Sequence, residues 1–322
     1  MDAAAHLTGP VGLSVVVPCY NEGAQVDVAH HAIDAELSGR YPDLEILFVD
    51  DGSRDDTLER IKRLADRDPR VRYLSFSRNY GMEAAFSAGF RYASKPWIAQ
   101  LDADLQFPVA EVPRLVAAAV AGYDIAYGIR RDRQDPWLRR LGSTGQHFLA
   151  RRVFGIELVP GASAFRVVRA EVARRAVALR LATPYFMATL PRLGARATTV
   201  GVSHARRTTG GSKWRPWKLF SHSFELFFGF SQRPLIWLYT AALGCAGMLL
   251  LAALLGLPAG RLVLVGLAVL LVSVAVLAAY VHRLIQGSAR PAQFYVREAN
   301  IPVAPADSFY GEPATSPLEV VR

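Results

Sequence analysis

The chain has 322 residues, 52% of them hydrophobic, and carries 37 Lys and Arg against 28 Asp and Glu, a formal net charge of +9. That length fits one sizeable domain plus a further segment, the apolar content points to a membrane portion, and the basic balance suits a nucleic acid, an anionic membrane or a phosphorylated substrate. Two cysteines, Cys19 and Cys245, exclude a disulfide framework and fit a reducing compartment; the first twelve residues lack the basic start and apolar core of a cleaved signal peptide.

In chain order, residues 13–18 form a short β-branched apolar run, read as a strand, and 22–37 follow with helical spacing until Ser38-Gly39. Residues 44–49 give the next strand, closed by Asp50-Asp51-Gly52-Ser53, and 55–65 a helix capped by Ser53 or Asp55. Strands at 71–76, 97–101 and 124–128 alternate with helices at 82–93 and 109–121. This order predicts an α/β domain with a mostly parallel sheet covered by helices on both faces.

Residues 130–152 change character, with seven arginines against two aspartates in a partly helical pattern. Residues 161–172 return to apolar-rich structure, 198–203 read as a strand, and the basic, Gly-rich segment 206–213 follows. Residues 214–230 place Trp214, Trp217, Phe220, Phe224, Phe227 and Phe228 near helical spacing among Arg215, Lys218 and His222, an interfacial amphipathic pattern. Two stretches without charge, 235–260 and 262–281, are each long enough to span a bilayer and predict helices at about 235–257 and 262–283. Basic residues concentrate outside this hairpin, which places both its ends in the cytoplasm. The expected division is therefore 1–212 as a domain, 213–233 as an interfacial helix, 234–286 as a transmembrane hairpin and 287–322 as a loosely ordered cytosolic tail rich in Pro, Ala and Ser.

Three polar clusters fall at predicted strand ends: Tyr20-Asn21-Glu22, Asp50-Asp51-Gly52-Ser53 and Asp102-Ala103-Asp104. Ligands of such sheets bind at the carboxyl ends of strands. Two carboxylates one residue apart can hold a hard divalent cation against a diphosphate, although that pair alone more often makes a turn and a helix cap. Asp51 can accept from a ribose hydroxyl or a base N–H, or serve an Asx turn; both uses are compatible. Tyr20 reads equally as a frame for a base and as a packed loop aromatic. The seven histidines show no ligand spacing, and no Gly-rich phosphate loop of the ATPase type is present.

Together, Val17-Pro18-Cys19-Tyr20-Asn21-Glu22, Val49-Asp50-Asp51-Gly52-Ser53, Ser77-Arg78-Asn79-Tyr80-Gly81, Asp102-Ala103-Asp104-Leu105-Gln106, Tyr127-Gly128-Ile129-Arg130 and Gly211-Ser212-Lys213-Trp214 occur in order. The set resembles the polyprenyl-phosphate glycosyltransferases, the group of dolichol-phosphate mannose synthase and the bacterial bactoprenol glucosyltransferases, over about residues 12–235. The resemblance implies a GT-A-type nucleotide-diphospho-sugar transferase domain. It implies that Pro18, Tyr20, Glu22, Val49 and Asp51 hold the nucleotide. Asp102, Asp104 and Gln106 would hold Mg²⁺ or Mn²⁺ and the donor diphosphate, with Asp102 and Asp104 as the catalytic pair. Arg130, Arg139 and Ser143 would bind the acceptor lipid phosphate, and Arg207 and Lys213 would close over the donor phosphates. Arginine forks grip phosphate oxygens bidentately, in keeping with these roles, whereas Arg151 and Arg152 are expected to face headgroups. Two positions depart from the resemblance: Met82 stands where a lysine is frequent, and 160–165 lacks the acidic residue often found before this region's Phe.

The implied activity is transfer, with inversion, of a UDP- or GDP-linked hexose to a polyprenyl phosphate at the cytosolic face of an inner or plasma membrane. A processive polysaccharide synthase is disfavoured because Ser231-Gln232-Arg233-Pro234 does not match the Gln-x-x-Arg-Trp pattern and only two spans are read. A catalytically idle membrane scaffold is disfavoured by the intact acids and basic residues, and a nucleic-acid binder by the lack of an aromatic stacking platform. Gly244 and Gly247 fit packing within the hairpin as well as contacts in a homo-oligomer.

Overall fold

The structure is a computed structural model, and it describes residues 11–130, 145, 148–179, 185–203, 226–256, 258, 260–288 and 293–311. The chain divides into two compact units: Met1–Gln134, Val159–Gly211 and Ala292–Arg322 form the first, and Asp135–Leu158 with Ser212–Pro291 the second.

The first unit is built on an eight-stranded sheet. Its elements in chain order are β1 (Leu13–Cys19), α1 (Gly23–Leu37), β2 (Leu44–Asp50), α2 (Thr57–Arg67), β3 (Val71–Phe76), α3 (Met82–Tyr92) and β4 (Trp97–Gln100). There follow α4 (Val112–Val120), β5 (Ile125–Arg130), β6 (Ala162–Arg169), α5 (Ala170–Ala178), α6 (Phe186–Arg192) and β7 (Ala197–Val202). The spatial order is β7-β5-β6-β4-β1-β2-β3-β8, where β8 (Val296–Ala299) comes from the far end of the chain. β4, β1, β2 and β3 run parallel, as do β5 and β7; β6 is inserted antiparallel between β4 and β5, and β8 is antiparallel to β3.

β1 and β2 are buried along their whole length, which is why their sequences read as continuous apolar runs rather than alternations. Successive side chains still point to opposite faces. Val15, Val17, Ile46, Phe48 and Ala99 enter a core under α1, α2 and α4, whereas Val16, Leu47, Val49 and Ile98 enter a second core under α3, α5 and α6. α1 buries Gly23, Val26, Ala29, Ile33 and Leu37, an apolar stripe at helical spacing. The mostly parallel, doubly covered sheet read from the sequence is present. The apolar stretch 161–172 forms the antiparallel β6 and the start of α5.

The C-terminal residues add to the sheet. Residues 293–311 are ordered and belong to the sheet unit. β3 would otherwise leave a row of unpaired backbone groups at the sheet edge, and β8 covers it. Phe294 stacks on Phe76 with centroids 5.0 Å apart. Asn300 accepts from the Tyr73 N–H at 2.7 Å and donates to the Val71 carbonyl at 3.1 Å. Asp307, nearly buried, binds Arg91 at 2.9 Å and accepts from the Tyr92 hydroxyl, whose pKa burial pushes up to about 12. Among the described residues, 148–158, expected in the N-terminal domain, fall in the second unit.

In the second unit, α7 (Arg233–Leu254) and α8 (Gly260–Ser288) pack as an antiparallel pair: the Tyr280 hydroxyl near the end of α8 donates to the Ser231 carbonyl just before α7. α7 begins on Arg233-Pro234, with proline in the first turn where no N–H is needed, and ends on Gly256 at φ 64°, a left-handed cap that favours glycine. At 22 residues, α7 is about 33 Å long, and both helices are long and apolar enough to cross a membrane. At their base, Phe154 stacks on Phe227 at 4.2 Å and leans on Trp237, and Arg233 donates to the Arg152 and Val153 carbonyls at 2.9 Å. Arg151 and Arg152 are exposed. The expected interfacial helix at 214–230 lies outside the described residues apart from 226–230, which are helical.

Candidate active site

Because β1, β2 and β4 are parallel neighbours, their carboxyl ends open onto one rim. The loops leaving β1 and β2 are tied together through backbone groups. The Asn21 N–H donates to Ser53 Oγ at 3.0 Å, the Arg54 N–H to Asn21 Oδ1 at 2.8 Å, the Glu22 N–H to Thr57 Oγ1 at 2.9 Å and the Asp51 N–H to the Cys19 carbonyl at 2.9 Å. Asn21 holds φ 53°, as does Leu105 in the next loop at φ 50°; both are positive values that ordinary residues adopt rarely. Gly52, at φ 69°, is required: a Cβ there would lie 2.4 Å from the Arg78 carbonyl carbon.

The two aspartates ending β2 have different duties. Asp50, fully buried, accepts from the Ser53 N–H at 3.0 Å and from Ser75 Oγ at 2.7 Å, closing the Asx turn. Asp51 accepts from the Tyr80 N–H at 2.6 Å and the Gly81 N–H at 2.9 Å, so it anchors the 77–81 loop after β3. Burial outweighs these bonds and pushes the Asp51 carboxyl up to about 6. The Arg78 guanidinium lies 4.2 Å from the Tyr80 ring centroid on that loop. Pro18 is buried and pairs in register with Val49; the Val49 side chain is wholly in the core, and its backbone pairs with β1 and β3. Tyr20 is 42% exposed. Helix α2 has no side-chain cap bond of its own; Asp55 accepts from the Thr57 and Gly23 N–H groups instead. Cys19 is buried, and burial first, then the Glu22, Asp50 and Asp55 carboxylates, raise its thiol pKa well above the ordinary value.

Asp102 and Asp104 follow the last residue of β4 and are half-buried, with Ala103 turned into the core between them. Gln106 donates to Asp104 from its backbone at 3.2 Å and from Nε2 at 2.6 Å, which fixes that carboxylate. Two carboxylates and an amide oxygen are the hard donors that Mg²⁺ or Mn²⁺ prefers. Among the described residues no three His, Cys, Asp or Glu converge.

The same loop reaches β5. Phe107 stacks on Phe165 of β6 with centroids 5.0 Å apart, and the Arg130 guanidinium, at the end of β5, lies 5.7 Å from the Phe107 ring centroid. Arg130 thus faces the ring that follows the acids on their own loop. Arg139, Ser143, Arg207 and Lys213 lie outside the described residues. Behind β4 sits a group that sequence reading missed: Arg166 on β6, one of the largest fully buried side chains, whose Nε donates to Gln100 Oε1 at 2.6 Å. A lone arginine inside the apolar run Phe165-Arg166-Val167-Val168 was its signal.

Comparison with known proteins agrees with this geometry. The Glycosyl transferase family 2 model matches residues 14–176. The glycosyltransferase CsbB of Bacillus subtilis is 31% identical over 223 residues, covering 69% of this chain and 68% of that protein. An undecaprenyl-phosphate 4-deoxy-4-formamido-L-arabinose transferase of Pseudomonas fluorescens is 33% identical over 244 residues, 76% of this chain and 72% of that one. Glucosyl-3-phosphoglycerate synthase of Mycobacterium tuberculosis, solved with phosphoglyceric acid, shares the fold with a TM-score of 0.50 at 21% identity, over 69% of this chain and 80% of that one. With its acid-bearing rim on a mostly parallel, helix-covered sheet, the chain belongs to glycosyl transferase family 2 and is a glycosyltransferase of GT-A fold.

Proposed function

We propose that the enzyme moves a hexose, with inversion, from a UDP- or GDP-linked donor onto a polyprenyl phosphate at the cytoplasmic face of the membrane. The observation that carries this reading is the contact between Arg130 and Phe107, which sets a guanidinium, a group suited to phosphate, against the acid loop. The name of the Pseudomonas relative and two helices long enough to span a bilayer support a lipid-phosphate acceptor. The family match makes an idle scaffold the weaker reading.

In this account the rim formed by Pro18, Tyr20, Glu22, Val49 and Asp51 receives the nucleotide. Asp102, Asp104 and Gln106 hold Mg²⁺ or Mn²⁺, which when bound supplies charge stabilisation to the leaving diphosphate. Arg207 and Lys213 close over the donor phosphates. Arg130, Arg139 and Ser143 orient the acceptor phosphate, whose oxygen is ionised at neutral pH and attacks the anomeric carbon without a strong base. The protein's own contribution is alignment and placement of fixed charge. Basic residues flanking the hairpin support a cytoplasmic catalytic unit with both termini on the same side.

Asp104→Ala tests the site. Transfer of labelled sugar to polyprenyl phosphate is expected to fall by about 100-fold or more while the thermal midpoint holds, since the half-buried carboxylate serves the ligand more than the core. Retained metal-dependent transfer would refute the assignment.

A further inference from the structure

β6 carries a cation that the proposed chemistry does not use directly. Arg166 is 1% exposed. It stands in register with Gln100 of β4 on one side and with Tyr127 of β5 on the other. Its Nε donates to Gln100 Oε1 at 2.6 Å, and Nη1 meets Met187 Sδ at 3.4 Å. Its guanidinium carbon is 5.9 Å from the Tyr127 ring centroid and 6.0 Å from that of Phe186. Among the described residues no salt bridge to a carboxylate is formed by it, the Tyr127 hydroxyl lies within its reach, and Gln100 Nε2 is buried without a hydrogen-bond partner. Arg166 also acts on Glu83 of α3, whose carboxyl burial pushes up and Arg166 pulls down.

A buried guanidinium with no direct salt bridge costs stability, and a well-packed apolar side chain of the same volume would cost less. Orphaned buried polar groups of this kind call for a reason other than folding. The reason lies in what the neighbours carry. Gln100 is two residues before Asp102, and Tyr127 is three before Arg130. The adjacent Phe165 holds Phe107 from the opposite face of the sheet. Two consecutive residues of β6 therefore grip both reacting ends of the site, one from each face.

We propose that Arg166 is a positioning residue that fixes the acid-bearing end of β4 relative to the arginine-bearing end of β5. This rests on the donor and acceptor roles proposed above. A planar fork can brace β4 and β5 together, whereas lysine keeps the charge but not the fork. Misplacing reacting groups by about 1 Å costs about 100-fold in rate.

The test uses full-length protein in lipid nanodiscs, with polyprenyl phosphate and a nucleotide-sugar donor. Arg166→Met is expected to keep or raise the thermal midpoint while kcat falls about 100-fold and KM for the donor stays nearly constant. Arg166→Lys should recover only part of kcat. Val168→Ala, on the same face of the same strand, should lower the midpoint and leave kcat near wild type. Near-wild-type kcat in Arg166→Met, or a loss in Val168→Ala as large as that in Arg166→Met, overturns the proposal. If Arg166→Met does not fold, Gln100→Leu must show the same kcat loss at constant donor KM, and unchanged kcat there overturns it equally. Wild-type protein that hydrolyses donor but glycosylates no lipid counts against the acceptor reading; the same comparison is then made on hydrolysis.

Discussion

Asp51 illustrates how one side chain links stability to the nucleotide rim. Its two oxygens hold the Tyr80 and Gly81 N–H groups, and burial sets its carboxyl near 6 against about 4 in an unfolded chain. Between those values the folded protein binds the proton that the unfolded chain has lost. The Asp51 contribution is thus fully present below about pH 4 and declines as pH rises through about 6. Unfolding of wild type and Asp51→Asn, followed between pH 4 and 7, should show the wild type losing stability relative to the variant as pH rises. A difference that stays constant with pH would contradict the assignment. The residue scale was also where sequence reading was least complete: Asp50 and Asp51 look alike in Val49-Asp50-Asp51-Gly52-Ser53, and only the pairing of β2 with β3 separates the turn-former from the loop anchor.

At the scale of elements, the tail strand carries the clearest expectation. Asn300 satisfies two backbone groups of β3, and its truncation leaves both without those bonds. Asn300→Ala should cost about 1–3 kcal/mol, and Phe294→Ala about 3–5 kcal/mol, read from denaturant unfolding. Losses below about 0.5 kcal/mol in both would mean that the tail is not paired as described. Because the Ser77 N–H donates to the Tyr295 carbonyl, the same variants should weaken donor binding through the 77–81 loop. The apolar runs at 13–18 and 44–49 were legible because strands buried on both faces are continuously hydrophobic. β8 was not, because four residues in a Pro-, Ala- and Ser-rich stretch carry no periodicity, and its pairing partner lies more than 200 residues earlier. β6 was half legible: its apolar character was plain, but its antiparallel insertion between β4 and β5 depends on which edge was open when the chain returned.

Over the whole molecule, the chain leaves the sheet unit, forms a hairpin of two apolar helices and returns to finish the sheet. The hairpin was the most legible part of the sequence, since uncharged stretches of that length have few other solutions. Leu254 is 75% exposed and Leu264 67%, surfaces that suit lipid better than water. Continuity through β8 means that a cut after the second span removes part of the catalytic unit as well as a tail. The most direct measurement is mass spectrometry of the lipid fraction after incubating purified protein with polyprenyl phosphate, Mg²⁺ or Mn²⁺ and a panel of nucleotide sugars. A polyprenyl-phosphate hexose of inverted anomeric configuration, formed with one donor and lost on chelation of the metal, is the expected product. A lipid fraction unchanged by every donor, from protein that still binds a nucleoside diphosphate, would contradict the acceptor at the centre of this account.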